Sequence, residues 1–189
     1  MGLRLIFLGP QGSGKGTQAS RLARLMGVPH ISTGEMLREA VAAGTELGKK
    51  ADAIMQAGDL VPDDLVVAMV GERLTQPDAE CGYLLDGFPR NVSQARALDD
   101  VLERPLDGLV RLDVPHEELM KRMLLRAQAE GRADDTEEGI NRRLEIYWSE
   151  TAPLSDYYLD NDMAVYPVDG LGDIDEVFAR VALALAVES

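Results

Sequence analysis

The stretch Gly9-Pro10-Gln11-Gly12-Ser13-Gly14-Lys15-Gly16-Thr17 constrains this chain more than any other. It follows the apolar run Leu3-Arg4-Leu5-Ile6-Phe7-Leu8 and precedes a segment of helical period, Gln18 to Met26. A strand, a glycine-rich turn and a helix in that order form a site for an anion. Glycines let successive backbone N–H groups curl around a phosphate, and the helix N-terminus adds its dipole. Lys15 supplies a point charge for the outer phosphates. A Ser or Thr usually follows the lysine of such loops. Here Gly16 stands in that place and Thr17 comes one position later.

The remaining segments alternate between strand-like and helix-like patterns, as in a parallel sheet covered by helices. Strands are expected at 3–8, 28–31, 82–87, 109–114 and 164–168, the last with Pro167 at an edge or at its end. Ser32 and Glu35 have the spacing of a capping box before a helix carrying Met36, Leu37 and Ala40. A second short helix runs from about Leu47 to Gln56. Another opens at Pro62-Asp63-Asp64 with Val66, Val70 and Leu74 as a buried stripe. Further helices are expected at 91–102, from Pro115 to a polar break at 130–135, and from Thr136 past Trp148, with a bend at Pro153. The last runs from Asp173 to Val187 with Ile174, Val177, Val181 and Leu185 inward.

At 189 residues the chain suits one α/β domain with small excursions, and no linker divides it. Hydrophobic residues make up 46% and charged residues 28%, which excludes a disordered chain. No apolar run is long enough to span a membrane, the N-terminal run is too short for a signal peptide, and Ile6 stands where a myristoylation signal needs Ser or Thr. One cysteine, Cys81, excludes an internal disulfide and a cysteine-rich zinc site. These features lead us to expect a cytoplasmic protein that is not membrane-bound. The net charge of −14 argues against nucleic acid as a partner and sets any arginine cluster apart from the background.

Two such groupings accompany the glycine loop. Asp86 ends a buried strand and Gly87-Phe88-Pro89-Arg90 follows, at the strand end where open α/β sheets bind ligands. An acid there can hold Mg²⁺ through water, and an arginine can fork onto a phosphate. Arg122 and Arg126 share a helix face, Arg132 follows in the polar break, and Arg142 and Arg143 lie on the next helix. Phosphoryl transfer needs positioning, charge neutralisation and exclusion of water, all of which a cationic flap provides. His30 and His116 have no acid or nucleophile at a suggestive spacing. The methionines read as core filler, and Trp148 as packing.

Together these motifs resemble an adenylate kinase from end to end. Gly9 to Gln18 is similar to the family's G-x-P-G-x-G-K-G-T-Q loop, including its Gly-Thr order, with Gln11 where Pro is usual. Residues 32–38 resemble S-T-G-D/E-M-L-R, 86–94 resemble D-G-F-P-R-x-x-x-Q, and 151–154 read T-A-P-L. The resemblance implies a P-loop three-layer α/β/α fold with a central five-stranded parallel sheet. It also implies a core of 1–31, 62–126 and 137–189, a nucleoside-monophosphate-binding insertion at 32–61 and a short lid at 127–136. ATP is expected on Gly12, Ser13, Gly14, Lys15, Gly16, Thr17, Arg122, Arg126 and Gly172. AMP is expected on Thr33, Arg38, Asp59, Leu60, Val61, Gly87, Phe88, Pro89, Arg90 and Gln94, with Arg132 and Arg143. Lys15, Arg90, Arg122, Arg126, Arg132 and Arg143 carry the implied catalytic roles, and Asp86 meets Mg²⁺ through water.

The implied reaction is reversible conversion of Mg-ATP and AMP into two ADP by a monomer. Only residues 127–131 separate Arg126 from Arg132, so the lid resembles the short form and no structural zinc is expected. A UMP/CMP kinase of the same fold is the nearest alternative, and Asn91 after D-G-F-P-R resembles it. Thr33 and Gln94 favour AMP, because a site built to bond a purine edge rejects bases that leave its polar groups unpaired. A switch protein that binds ATP without transfer would not need Arg38, Arg90, Arg132 and Arg143 around a second anion.

Overall fold

The computed structural model describes residues 2–130 and 136–186. In it the apolar runs form five parallel strands: β1 (Arg4–Leu8), β2 (His30–Ser32), β3 (Tyr83–Asp86), β4 (Gly108–Asp113) and β5 (Val165–Asp169). Their order across the sheet is β2-β3-β1-β4-β5. β1 is therefore central, pairing with β3 so that Phe7 faces Asp86, and with β4 so that Leu8 faces Arg111. Because the chain builds one flank of β1 before the other, the crevice at the carboxyl end of β1 is where ligands are favoured. Pro167 lies within β5, tolerated because β5 is an edge strand.

Apolar side chains on both faces of the strands explain their near-continuous hydrophobicity. On one face Ile6, Leu8 and Leu85 pack with Val66 and Val70 of α4 (Asp63–Leu74), Ala95 and Leu98 of α5 (Val92–Val101), and Leu154 and Tyr158 of α8 (Leu154–Asp160). On the other, Leu5, Phe7, Leu84, Val110 and Val168 pack with Ala19 and Leu22 of α1 (Lys15–Met26) and Val177 and Val181 of α9 (Ile174–Ala186). The result is the expected three-layer α/β/α sandwich. A third cluster joins Leu119 and Met123 of α6 (His116–Glu130) to Ile140 and Leu144 of α7 (Glu137–Ile146). The helical pair α2 (Thr33–Ala42) and α3 (Glu46–Ala57) stands between β2 and α4.

Several local expectations differ from the structure. Ser32 precedes α2 but makes no side-chain cap, because it is the last residue of β2, in register with Asp86. The helix from Thr136 does not run on regularly past Trp148. It widens at Tyr147–Thr151 into a turn closed by Ala152 N–H on the Tyr147 carbonyl at 2.8 Å, and Pro153 then opens α8. Trp148, expected to pack, is 55% exposed, its ring edge-on to Tyr147 at 5.0 Å between ring centres. Ile174 faces outward, because it stands at the first residue of α9 before the buried stripe of Val177 and Val181 begins.

Leu85 is fully buried between β1 and the α4–α5 layer. Leu85→Ala should cost about 2–5 kcal/mol, read as a lower urea midpoint with an unchanged slope.

Candidate functional site

Residues 9–14 turn between β1 and α1, and two glycines set the turn. Gly14, at φ 86°, lies just before the first residue of α1. Gly12, at φ 83°, lies against α6, where a β-carbon would stand 3.0 Å from the Leu119 carbonyl. Other residues would incur both left-handed strain and a clash there. Ser13 is buried beneath the loop, its N–H on the Pro10 carbonyl at 3.2 Å. The amide of Gln18 reaches the Ile174 carbonyl at 3.0 Å and ties α1 to α9.

Gly16 has a local explanation. A β-carbon on it would sit 3.1 Å from Asp86 Oδ2, a tight contact that the carboxylate would have to relieve by moving a few tenths of an ångström, so glycine here lets Asp86 rest close to the start of α1. Asp86 is 7% exposed; its Oδ2 meets His30 Nε2 at 3.3 Å and its Oδ1 has no hydrogen-bond partner. Burial pushes this carboxyl up, but the His30 contact and the Lys15 and Arg90 charges outweigh it and hold the carboxyl below its ordinary range.

A cleft runs along the loop, lined by Gly12, Gly14, Lys15, Gly16 and Thr17 on one side and by Asp86, Gly87, Arg122 and Arg126 on the other. Arg122 is braced by Glu118 at 2.8 Å and by the Gly170 carbonyl at 3.2 Å. Gly172 lies beyond it, in the turn before α9 beside Glu176, and not in the cleft wall. A second cavity opens between α2, α3 and α5, walled by Thr33, Arg38, Asp59, Leu60, Val61 and Gln94. Arg38, Arg90 and Arg143 line both. Phe88 is core, joined by a cis peptide to Pro89, which lines a small space beneath Arg90 with Gly87. Arg132 lies outside the described residues.

Partners that are distant in sequence hold these side chains. Arg90 Nε donates to the Gly87 carbonyl at 2.8 Å, as does the Thr33 hydroxyl at 2.9 Å. The Arg90 N–H reaches Gln94 Oε1 at 2.8 Å, and its carbonyl accepts from Thr151 at 2.6 Å. Gln94 Nε2 donates to Asp63 at 2.7 Å, so the buried amide is fixed at both ends. Arg143, 8% exposed, bonds the Gly139 carbonyl at 3.1 Å. The Asp59 side chain turns away from the cavity to Arg142 at 2.9 Å, leaving backbone to the pocket. His30 and Asp63 carry no linear signal of these roles, since their partners lie 56 and 31 residues away.

The cations strain one another. Burial pulls the Lys15 ammonium below its ordinary pKa of 10.5; Asp86 opposes this, and Arg90, Arg126 and Arg143 add to it. Burial likewise lowers Arg90, opposed by Asp86 and reinforced by Arg143 and Arg38. Between its folded pKa and 10.5, Lys15 binds more protons in the unfolded chain, so stability rises with pH in that window. Below the window the charged Lys15 is a net cost to the unliganded fold. Lys15→Met should therefore raise the urea midpoint of the free protein at neutral pH, while weakening binding of inorganic tripolyphosphate about tenfold or more in calorimetry.

A family model described as adenylate kinase matches residues 7–163. The adenylate kinase of Stenotrophomonas maltophilia (strain K279a) is 51% identical over 186 residues, 97% of this chain and 99% of the relative. Those of Xanthomonas euvesicatoria pv. vesicatoria (strain 85-10) and Xylella fastidiosa (strain M12) are 50% and 47% identical over the same shares. With a glycine loop on a central parallel strand and arginines between two cavities, this likeness over nearly the whole length leaves one assignment: the chain belongs to the adenylate kinase family.

Proposed function

We propose that the protein transfers the terminal phosphoryl of ATP directly to the phosphate of AMP, reversibly, giving two ADP. The observation that carries this reading is the place of Arg90 and Arg143, which line both the loop cleft and the cavity beside α2 and α3. With Arg38, which also lines both, three guanidiniums shared by two cavities suit two phosphate-bearing substrates that meet end to end.

In this reading the loop backbone of Gly12, Ser13, Gly14, Gly16 and Thr17 holds the donor phosphates with Lys15, Arg122 and Arg126. The Gly170–Gly172 turn lies toward the donor base. Thr33, Arg38, Gln94 and the backbone of Asp59, Leu60 and Val61 hold AMP, with Gly87 and Pro89 shaping the floor. Arg132 completes the cationic ring. The acceptor is already an anion, so no protein base is required. Lys15 and the arginines stabilise charge spread over the transferred group and orient both phosphates in line.

The residues also fit Mg²⁺. Asp86 Oδ1 is buried and unpartnered at the strand end beside Gly16 and Thr17, an acceptor suited to metal-bound water. The ion would neutralise phosphate charge in the cleft. We further propose a zinc-free, cytoplasmic monomer whose excursion at 127–136 acts as a short lid and whose segment 32–61 forms a closing insertion. Among the described residues no helix is long and apolar enough to cross a membrane.

Thr33 and Gln94 favour AMP over pyrimidine acceptors: both line the acceptor cavity, and Gln94 is fixed by Asp63 and Arg90. A coupled assay with AMP, UMP and CMP should give two ADP from ATP plus AMP. Equal rates with UMP or CMP would reverse the acceptor assignment, and phosphate release without AMP would point to an ATPase switch. Arg132→Ala should lower kcat about 10³–10⁵-fold with an unchanged unfolding midpoint, and near-normal turnover would remove it from the mechanism.

A further inference from the structure

The loop cleft, the acceptor cavity and the small space beneath Arg90 share three wall residues: Gln11, Arg90 and Arg143. The two arginines are accounted for by the phosphates that meet there. Gln11 is not. It stands third in the glycine loop, between Pro10 and Gly12, and is the one residue of the loop with a side-chain amide. Its amide oxygen is buried and has no hydrogen-bond partner. That oxygen is closed off from solvent, so the amide N–H groups are what Gln11 offers to a ligand on this wall, and their partner is an acceptor on that ligand.

The chemistry of the junction selects which part of the ligand that is. A primary amide carries two N–H donors and one acceptor on the same pivot, and a half-turn exchanges them. Phosphate oxygens offer only acceptors, and the companions of Gln11 are two guanidiniums, which gather anions. A further cation here would add to the like-charge crowding that already lowers Lys15. A neutral amide adds donors without adding charge.

We infer that Gln11 binds the acceptor's phosphate directly, presenting its amide N–H groups to the anion that Arg90 and Arg143 hold. Gln11 thereby fixes the acceptor oxygen relative to the donor loop on which Gln11 itself is carried. This inference rests on the reading that AMP is the acceptor.

The test compares the wild-type enzyme with Gln11→Met, which keeps the length and loses the amide, and with Gln11→Glu, the nearly isosteric acid. AMP and adenosine binding are measured by NMR-monitored titration, and initial rates are taken with ATP and AMP varied in turn. The inference expects Gln11→Met to bind AMP about tenfold more weakly and to raise the AMP KM to match. Adenosine affinity and the ATP KM stay at wild-type values, and Gln11→Glu binds AMP more weakly still. Unchanged AMP binding in Gln11→Met would overturn the inference. So would an equal loss for AMP and adenosine, which places the contact on the ribose or base, or a parallel rise in the ATP KM, which makes Gln11 a loop-stiffening residue. Wild-type turnover in the same assay separates the two readings: if wild type makes no ADP from AMP, the underlying function fails, whereas normal wild-type turnover beside an unaffected variant removes only the role of Gln11.

Discussion

Like charges crowd one cleft of an acidic protein, and the buried Asp86 carboxylate draws them together. Lys15, Arg90, Arg126 and Arg143 all act on one another or on Lys15, and Asp86 is the attractive partner of both Lys15 and Arg90. At an effective dielectric constant near 20, a pair of unit charges about 4 Å apart interacts by about 4 kcal/mol, so one carboxylate does not offset several cations. The unliganded site is therefore electrostatically unsatisfied. The net charge of −14 covers the rest of the surface, which makes this cationic cleft a local, built feature.

The sheet makes that concentration possible. β1 and β3 run in parallel register, so the loop after β1 and Asp86 at the end of β3 emerge side by side. Burial on both faces by α1 and α9 and by α4, α5 and α8 gives the strand ends a rigid footing. Gly12 lets the loop rest on α6, and Gly16 admits Asp86 against the start of α1. The glycines serve close approach as much as turn geometry.

The α2–α3 segment, whose Leu37 and Ala51 join the core, also meets α7. Gly58, at the end of α3, comes so near α7 that a β-carbon on it would stand 2.9 Å from the Gly139 carbonyl, and Asp59 pairs with Arg142 across the same gap. That pair is about half exposed on both sides, so solvent screens most of its attraction. Thr151, donating to the Arg90 carbonyl from the widened turn after α7, links the same helix to the phosphate junction.

The sequence alone determined the elements that depend on local periodicity and local backbone chemistry. These are the apolar runs of the five strands, the glycine loop between β1 and α1, the helix stop at Gly58, and the Asp86–Arg90 turn. It misplaced Ser32, Trp148 and Ile174, because the pairing of a strand end and the exposure of a helix end are set by neighbours remote in the chain. Spacing gave no hint that His30 would meet Asp86, that Asp63 would fix Gln94, or that Asp59 would turn outward to Arg142, since these contacts join separate elements across the sheet or between helices. Gln11 was visible only as a departure from a pattern. Tertiary packing placed it on cavity walls shared with Arg90 and Arg143 and closed its amide oxygen off from solvent, a property that arises only when separate segments close over the same atom.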